Sequence, residues 1–547
     1  MTTKPALRQR LRELLAIGSA LSTERDLPRL LERILETART LAHADAGTLY
    51  RIEGDALRFE VIRNETLGFR MGGHSGTPID FAPLPLYRPD GTPNHGMVVA
   101  HAALTKETVN IADAYDTPGF DFDGTRAFDA RTGYRSRSFL TVPMLDGSGA
   151  AIGVLQLINA RERDGRVRVF DADDQLLVES LASQAAVALD NRLLFAQQEK
   201  LFEALIQVIN SAIDEKSPYT AGHCHRVPEL TMMLAQATVE TRDGPFADFS
   251  LSDADRHELR IAGLLHDCGK ITTPVHVVDK ATKLQTLYDR IGLIETRFEI
   301  LLRDLALAYQ KGEIDAETWA AERDAIARAR ALVRRSNVGT ETMSDADVAA
   351  LFALAARSWT PDGGEPIPFL TDDERDNLVV RRGTLNPSER DIINRHIVIT
   401  QQMLESLPWP RHLQRVPEFA GGHHERMDGR GYPRGLTRDQ MSPQARMMGI
   451  ADVFEALTAG DRPYKVGMRM SQAMRILCQM AVDQHIDRDL FEIFLRKRVY
   501  LDYAERFLTP EQRDPIDWNA MPGLSDALRD ALRDHPNPSA RGPGEPG

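Results

Sequence analysis

The sequence predicts a multidomain protein in which an α+β domain, a mixed sheet with flanking helices, is joined by a long helix to an all-α domain. Three observations lead to this prediction. The length of 547 residues exceeds that of one ordinary domain. Strand-like and helical segments alternate up to about residue 196, whereas the remaining chain has helical spacing almost throughout. Where the two parts meet, residues 174–213 contain neither glycine nor proline, which indicates one uninterrupted helix.

Composition and charge restrict the function classes. Hydrophobic residues make up 42% and charged residues 27%, values that are ordinary for a globular protein. Lys and Arg number 67 against 80 Asp and Glu, a net charge of −13 that argues against nucleic-acid binding as the main task. Three cysteines without a CxxC pair are typical of a reducing compartment. With neither the apolar core of a signal peptide nor an apolar run of ~20 residues, the sequence predicts a cytoplasmic protein without a membrane span.

The first part of the chain predicts the sheet and its helices. Residues 7–42 carry leucine and isoleucine at helical spacing. Four segments predict strands, at Ala46–Ile52, Ala56–Ile62, Phe139–Met144 and Ala151–Ile158. Helices that flank such a sheet make an α+β domain, which we expect to occupy residues 1–196.

Two stretches of this part, SRSFLTVPMLDGSGAAIGVLQLINA and FDADDQLLVESLASQAAVALDN, resemble the GAF domain, a small-molecule sensor module. The resemblance implies a small-molecule ligand of unknown identity. Some GAF domains that bind cyclic nucleotides carry a further pattern, which Asn159, Phe170 and Asp174 match. Ala160 and Gln175 stand where that pattern has lysine and glutamate, so two charges are missing. The ligand therefore stays open, and so does the alternative that the GAF domain serves only in dimerisation.

The long helix ends in residues 197–216, which we expect to link the two domains. Leu201, Leu205, Val208 and Ala212 repeat at the spacing of a coiled-coil seam, which favours a parallel homodimer. A neighbouring set keeps the same spacing, so the apolar face is also broad enough to pack against its own domain. That set is Phe202, Ile206, Ile209 and Ile213.

The stretch with the most specific chemistry is GGHHERMDGRGYPRGL, from Gly421 to Leu436. Its adjacent imidazoles, His423 and His424, point to different sides of the chain, and a metal cluster is the usual object that two such rings share. The pattern HHExxDGxGYP resembles the signature of HD-GYP domains, the metal-dependent phosphodiesterases of bacterial cyclic di-GMP signalling. This stretch matches that signature without a break.

Further segments match the same family in chain order. The resemblance implies an all-α HD-superfamily domain in two parts, residues 217–285 and 383–520, separated by a helical insertion at 286–382 that typical members lack. A tail rich in proline and glycine, residues 521–547, predicts disorder. The resemblance also implies seven metal ligands, which are His223, His266, Asp267, His396, His423, His424 and Asp452.

The implied ligand set combines imidazole and carboxylate without thiolate. Such a set suits two divalent transition-metal ions, first Fe or Mn, with Co, Ni and Zn also compatible. Asp267 would bridge the two ions, which together can activate water for attack on phosphorus. By resemblance, Lys270 would contact the phosphate and act with Asp267 in catalysis, whereas Arg462 and Lys465 would hold the second phosphate. We expect Glu425 to orient an imidazole.

The number of metal ions depends on the residue that precedes the first ligand histidine by four. Some family members have glutamate there and resemble trinuclear enzymes. If Ser217 caps the helix and Pro218 begins it, Tyr219 lies on the same helical face as His223. A neutral phenol is a poor substitute for a carboxylate. The sequence therefore predicts two metal ions and a reaction that stops mainly at the linear dinucleotide.

Together these features predict a phosphodiesterase that opens cyclic di-GMP to linear pGpG and is regulated by its GAF domain. Two alternatives stay open, a catalytically inactive receptor for cyclic di-GMP and an HD phosphohydrolase that acts on another nucleotide. The intact ligand set speaks against the first and the complete GYP loop against the second. Cys224 and Cys268 adjoin predicted ligands, and each is either an oxidant sensor or a buried small residue.

Overall fold

The computed structural model describes residues 18–21, 23–24, 26–216, 222–339, 342–360, 364–460 and 467–533. The chain forms two compact units, Met1–Glu203 and Ala204–Gly547. Within the described ranges, no helix combines the length and the apolar character that crossing a membrane requires.

The N-terminal unit is built on one sheet of eight strands in the spatial order β3-β2-β1-β7-β6-β5, with β4 paired to β2 and β8 to β7. The strands are β1 Ala44–Glu53, β2 Ala56–Asn64, β3 Phe69–Gly72, β4 Leu84–Pro85, β5 Val109–Ile111, β6 Phe139–Leu145, β7 Ala151–Arg161 and β8 Val167–Arg168. All four predicted strands are confirmed. The expectation of a mixed sheet is wrong, because every described pairing is antiparallel. Short turns join β1 to β2 and β6 to β7, and such turns force neighbouring strands to run in opposite directions.

In the described part of this unit, helical residues 18–21 precede α1 Leu27–Leu41, α2 Val98–Thr105, α3 Asp123–Thr132 and α4 Ala172–Lys216. The predicted helix over residues 7–42 is interrupted before α1, because the Asp26 side chain caps α1 by accepting the backbone N–H of Arg29. Residues 1–17 lie outside the described ranges. The buried faces of α1 and of the first part of α4 share one hydrophobic core with the sheet.

The uninterrupted helix predicted for residues 174–213 is confirmed by α4. In the part of α4 that belongs to the C-terminal unit, the two apolar faces differ in their exposure to solvent. Leu205 and Val208 are 53% and 64% exposed, whereas Ile206 and Ile213 are each 2% exposed. The second face is therefore buried at Ile206 and Ile213 but not at Ile209, which is 38% exposed, and the predicted coiled-coil seam is open to solvent at Leu205 and Val208.

The C-terminal unit is almost entirely helical. Its helices are α5 His223–Val239, α6 Asp253–Leu265, α7 Val275–Val278, α8 Ile291–Gln310, α9 Ala316–Val338, α10 Asp345–Ala355, α11 Asp372–Leu378, α12 Pro387–Glu405, α13 Val416–Gly421, α14 Pro443–Thr458, α15 Met470–Val482, α16 Arg488–Arg496, α17 Val499–Phe507 and α18 Asp526–Arg533. The all-α prediction needs one correction, because β9 (Ser358–Trp359) and β10 (Ile367–Pro368) pair as a small antiparallel ribbon. A 3-10 turn, Cys268–Thr272, follows α6 and carries part of the candidate site.

The segment predicted as a helical insertion contains α8 to α11 and the ribbon. It has a hydrophobic core of its own, in which Ile294, Phe298, Leu351 and Phe369 are buried together. A separate core allows the segment to interrupt the chain without contributing to the packing of the helices on either side. Its limits, residues 286–382, stay a prediction.

The tail that was expected to be disordered from residue 521 onward is helical in its first part. Leu528 and Leu532 of α18 are buried, and their spacing of four residues places them on one helical face. The content of proline and glycine predicted disorder, but this apolar pair provides a packing surface. Residues 534–547 lie outside the described ranges.

Candidate metal centre

The structure brings the seven predicted ligands together. His223 begins α5, His266 and Asp267 follow α6, His396 lies in α12, His423 and His424 follow α13, and Asp452 lies in α14. The His223 Nε2 atom is 3.1 Å from Asp267 Oδ2 and 3.3 Å from Asp452 Oδ1. His396 Nε2 is 3.2 Å from His424 Nε2. Residues from five separate segments thus converge on one place in the unit.

The ligand atoms form two groups of three, and within each group they lie within 4.8 Å of one another. One group is His223, His266 and Asp267, and the other is His396, His423 and His424. The Asp267 carboxylate faces both groups. Its Oδ2 is 3.3 Å from His266 Nε2, and its Oδ1 is 3.2 Å from His396 Nε2. A carboxylate in this position can contact two ions at once.

Three histidines have one ring nitrogen fixed by the backbone of their own segment. Nδ1 of His266 donates to Gly263 O at 2.7 Å. The Nδ1 atoms of His396 and His423 donate in the same way to the carbonyl three residues earlier, at 2.5 and 2.7 Å. Because a carbonyl only accepts, Nδ1 carries the proton, and Nε2 turns its lone pair toward the site. This is the orientation that a metal ligand requires.

The site contains more acceptors than donors. His423 Nε2 and Asp267 Oδ1 are buried and have no hydrogen-bond partner in the described part of the chain. The Nε2 atoms of His223 and His266 face each other at 3.3 Å. An unsatisfied buried polar atom costs about 1–3 kcal/mol, and a cation would satisfy several such atoms together. The residues therefore fit divalent metal ions held by nitrogen and oxygen.

The pKa values of the histidines also fit a site for divalent metal ions. Burial lowers the pKa of His424 to about 4, and burial also holds the pKa values of His266 and His423 below their usual range. These imidazoles are neutral at neutral pH, which is the form that binds metal. His223 differs, because hydrogen bonds to three surrounding carboxylates raise its pKa although burial opposes this. A proton on His223 and a metal ion would compete, so metal binding should weaken as pH falls.

Glu455 belongs to the site and was missed in the sequence. It lies one helical turn after Asp452 in α14 and is almost fully buried. Its Oε2 is 2.5 Å from His223 Nδ1, and its Oε1 accepts from Arg226 Nε at 2.7 Å. Glu455 therefore orients the His223 imidazole. The signal that could have found it is the spacing Asp452-x-x-Glu455, which places both carboxylates on one helical face.

The prediction for Glu425 is wrong. Its two carboxylate oxygens accept the backbone N–H groups of Arg434 and Leu436, at 2.7 and 2.9 Å, rather than an imidazole N–H. Glu425 thus closes the loop that follows the two histidines. That loop places the Tyr432 ring against the His424 ring, nearly parallel at 19° and with centroids 4.9 Å apart.

Lys270 reaches the site from the 3-10 turn Cys268–Thr272. Its Nζ lies 2.5 Å from Asp267 Oδ2, and this carboxylate raises the pKa of Lys270 against the effect of burial. Gly269 allows the turn to press against α12, because a Cβ atom at this position would lie 2.1 Å from His396 O. Close packing thus explains Gly269, and the charge of Asp267 explains Lys270.

Several predicted residues cannot be located. Arg462 and Lys465 lie in residues 461–466, outside the described ranges, and so do Ser217, Pro218 and Tyr219. The helix start expected at Pro218 therefore stays a prediction. The ligand helix begins at His223, because Gly222 precedes it with a φ of 83°, in the left-handed region that ends a helical path.

Cys224 and Cys268 are 1% and 2% exposed. Burial raises the pKa of Cys268 to about 11 and also raises the pKa of Cys224. A thiol with a raised pKa has little thiolate at neutral pH, and the thiolate is the reactive form. These cysteines fit the description of buried small residues better than that of oxidant sensors.

A cleft of about 580 Å³ opens beside the candidate ligands. His424, Asp452 and Tyr432 line it, together with Arg426 and Arg430. Arg426 is paired with Asp428 at 2.8 Å, whereas the structure gives Arg430 no ion pair within the described residues. The cleft therefore offers positive charge and an aromatic ring next to the ligands.

In the N-terminal unit, the residues that matched a cyclic-nucleotide pattern make contacts within the domain. Asn159 Oδ1 accepts the backbone N–H of Arg137 at 2.8 Å, and its Nδ2 donates to the Tyr134 hydroxyl at 3.0 Å. Asp174 accepts from the Arg168 guanidinium in a two-pronged pair. These residues therefore make contacts that stabilise the domain itself.

Family comparisons match both units. The GAF domain family matches residues 26–189, and the HD domain family matches residues 220–350 and residues 373–490. The resemblances to GAF and HD domains are thereby confirmed.

Three curated relatives come from Vibrio cholerae serotype O1. "3′3′-cGAMP-specific phosphodiesterase 3" is 25% identical over 275 residues, which cover 50% of this chain and 35% of that protein. "3′3′-cGAMP-specific phosphodiesterase 1" is 36% identical over 121 residues, 22% of this chain and 27% of that protein. "Probable cyclic di-GMP phosphodiesterase" is 33% identical over 142 residues, 25% and 32% of the two chains. The chain spans about a third of the length of these relatives. It carries a GAF domain followed by an HD domain, and the HD domain contains the residues of the HD-GYP signature.

Proposed function

We propose that the HD domain is a metal-dependent phosphodiesterase that hydrolyses the cyclic dinucleotide cyclic di-GMP to linear pGpG. The observation that carries the proposal is the position of Asp267, whose two carboxylate oxygens face separate groups of histidines. Two ions held by these groups, Fe or Mn first, would supply an activated water and stabilise charge on the phosphoryl group. The domain limits predicted from the sequence are part of the same proposal.

The side chains have separate roles in this proposal. Asp267 and the six other candidate ligands bind the ions, and Glu455 fixes His223. Lys270 carries a positive charge beside Asp267 and would neutralise charge on the phosphate that is attacked. Arg430 and Arg426 line the cleft and would bind the second phosphate, together with Arg462 and Lys465.

The residues that line the cleft indicate the class of substrate that it would bind. A cyclic dinucleotide has two phosphates and two flat bases, and the cleft offers guanidinium groups and the Tyr432 ring. 3′3′-cGAMP is the second candidate, because two of the similar relatives are named for it. We also propose that the GAF domain binds a small molecule and thereby regulates hydrolysis.

A turnover assay tests the proposal. The full chain, loaded anaerobically with Fe or Mn, is incubated separately with cyclic di-GMP, 3′3′-cGAMP and a mononucleotide, and the products are identified by mass spectrometry. We expect pGpG from cyclic di-GMP, with slow or no release of GMP. Binding of cyclic di-GMP without turnover would instead indicate a receptor, and turnover of the mononucleotide alone would indicate a different phosphohydrolase.

We propose further that the chain forms a parallel homodimer through the open seam of α4. The support is the exposure of Leu201, Leu205 and Val208, which are 62%, 53% and 64% exposed although they are large and apolar. A second copy of the same helix would cover this seam with matching side chains.

Charges placed in the seam should separate the dimer. The double variant Leu205→Glu and Val208→Glu puts like charges opposite each other, so we expect light scattering to give the mass of a monomer at micromolar concentration. Gln207→Glu adds a charge beside the seam and should leave the dimer intact. A dimer that survives the double variant would rule out this seam.

A further inference from the structure

The last turn of α4 contacts the turn that carries Lys270. Lys216 Nζ donates to Lys270 O at 3.2 Å and also to Ile271 O. The end of this helix is therefore bonded to the turn that follows Asp267 and carries Lys270.

The turn Cys268–Thr272 is held from two sides. On one side the Gly269 backbone N–H donates to Thr400 Oγ1 at 2.9 Å, and Gly269 presses against α12. On the other side stands the Lys216 ammonium. The contact with α12 is made by the closely packed backbone of Gly269. The contact with α4 depends on a single side chain, Lys216, at the end of the helix.

Where the end of α4 packs within the C-terminal unit, some buried side chains stabilise the contact and one opposes it. Ile206 and Ile213 are buried, and Asn210 lies between them on the same face with no exposed surface. Both amide atoms of Asn210 lack a hydrogen-bond partner among the described residues. A buried amide without partners opposes the contact, so the helix is held less firmly than an all-apolar face would hold it.

We propose that Lys216 is a positioning residue for Lys270, so that the register of α4 sets the position of the Lys270 turn and thereby the rate of hydrolysis. This inference rests on the proposed function. A helix rises about 1.5 Å per residue, so a slip of one residue moves the Lys216 ammonium by half the length of its hydrogen bond to Lys270 O. The turn would then lose the contact on that side and keep only the contact with α12.

The test compares Lys216→Met, which keeps the stem and removes the donors, with Lys216→Arg, which keeps them. Lys200→Met, at an exposed position of the same helix, is the matched control. For Lys216→Met we expect kcat to fall about tenfold with KM changed less than about twofold, because misplacement of a charged group acts mainly on the transition state. Lys216→Arg should recover most of the loss, and Lys200→Met should behave as the wild type.

Hydrogen exchange provides a readout that does not depend on catalysis. Thr273 N donates to Lys270 O at 3.0 Å, so the amides of residues 268–273 should exchange faster in Lys216→Met. A second variant, Asn210→Leu, should slow their exchange, because it replaces the unpaired amide with an apolar side chain. Unchanged exchange in both variants overturns the inference, as does unchanged kcat in Lys216→Met. If the wild type hydrolyses no cyclic dinucleotide, the proposed function fails, and the exchange data still decide whether Lys216 holds the turn.

Discussion

Replacing Asp267 with alanine should reduce hydrolysis of cyclic di-GMP by more than about 1,000-fold, since loss of a single electrostatic donor in an enzyme site already costs about 100–1,000-fold. Asp267 faces both histidine groups, so its removal takes one oxygen from each group. The substitution removes a buried charge from a site that is crowded with acceptors. We therefore expect the fold to be retained, with a circular dichroism spectrum like that of the wild type.

The matched control for this variant is Asp391→Ala, at an exposed position of α12, the helix that carries His396. It should hydrolyse cyclic di-GMP at the rate of the wild type. Turnover by Asp267→Ala clearly above background, at full metal loading, would show that the carboxylate does not bridge the two groups.

Replacing Glu455 with alanine should lower metal affinity by about 10–100-fold, the usual effect of removing a group that orients a metal-binding histidine. It should also destabilise the protein. Glu455 pairs with both His223 and Arg226 while almost fully buried, and loss of one partner from a buried ion pair costs about 3–5 kcal/mol. Metal titration and thermal unfolding measure the two effects.

Two further variants sharpen this prediction. Glu455→Gln keeps the shape and one acceptor, so its loss of affinity should be smaller than that of the alanine variant. Glu229→Ala removes an exposed carboxylate from α5, the helix that His223 begins, and should change neither quantity. Equal metal affinity in Glu455→Ala and in the wild type would mean that Glu455 only stabilises the fold.

The sequence predicted the histidines of the site better than the groups that orient them. His423 and His424 are recognisable because they stand together in an unbroken motif, whereas Glu455 lies in an apolar helix and gains its role only through the fold. Its partner His223 is 232 residues away in the chain. Glu425 shows the opposite error, because its place beside two histidines suggested an imidazole partner while its oxygens close a loop.

Helices and strands were predictable where their sequence pattern extended over many residues. The absence of glycine and proline identified α4, and four strand-like segments identified β1, β2, β6 and β7. The short turns after β1 and β6 account for two antiparallel pairs, but the pairing of β1 with β7 was not predictable, because it depends on which distant strands become neighbours in the sheet. The first ligand, His223, begins a described helix directly after Gly222, whose left-handed φ the motif did not indicate.

The measurement that most directly tests the two-metal centre is elemental analysis of the full chain after anaerobic loading with Fe or Mn and removal of unbound metal. The two groups of three ligand atoms, with Asp267 between them, predict two ions per chain. One ion or none per fully loaded chain would contradict the bridging role of Asp267, and three tightly held ions would contradict the two-ion count.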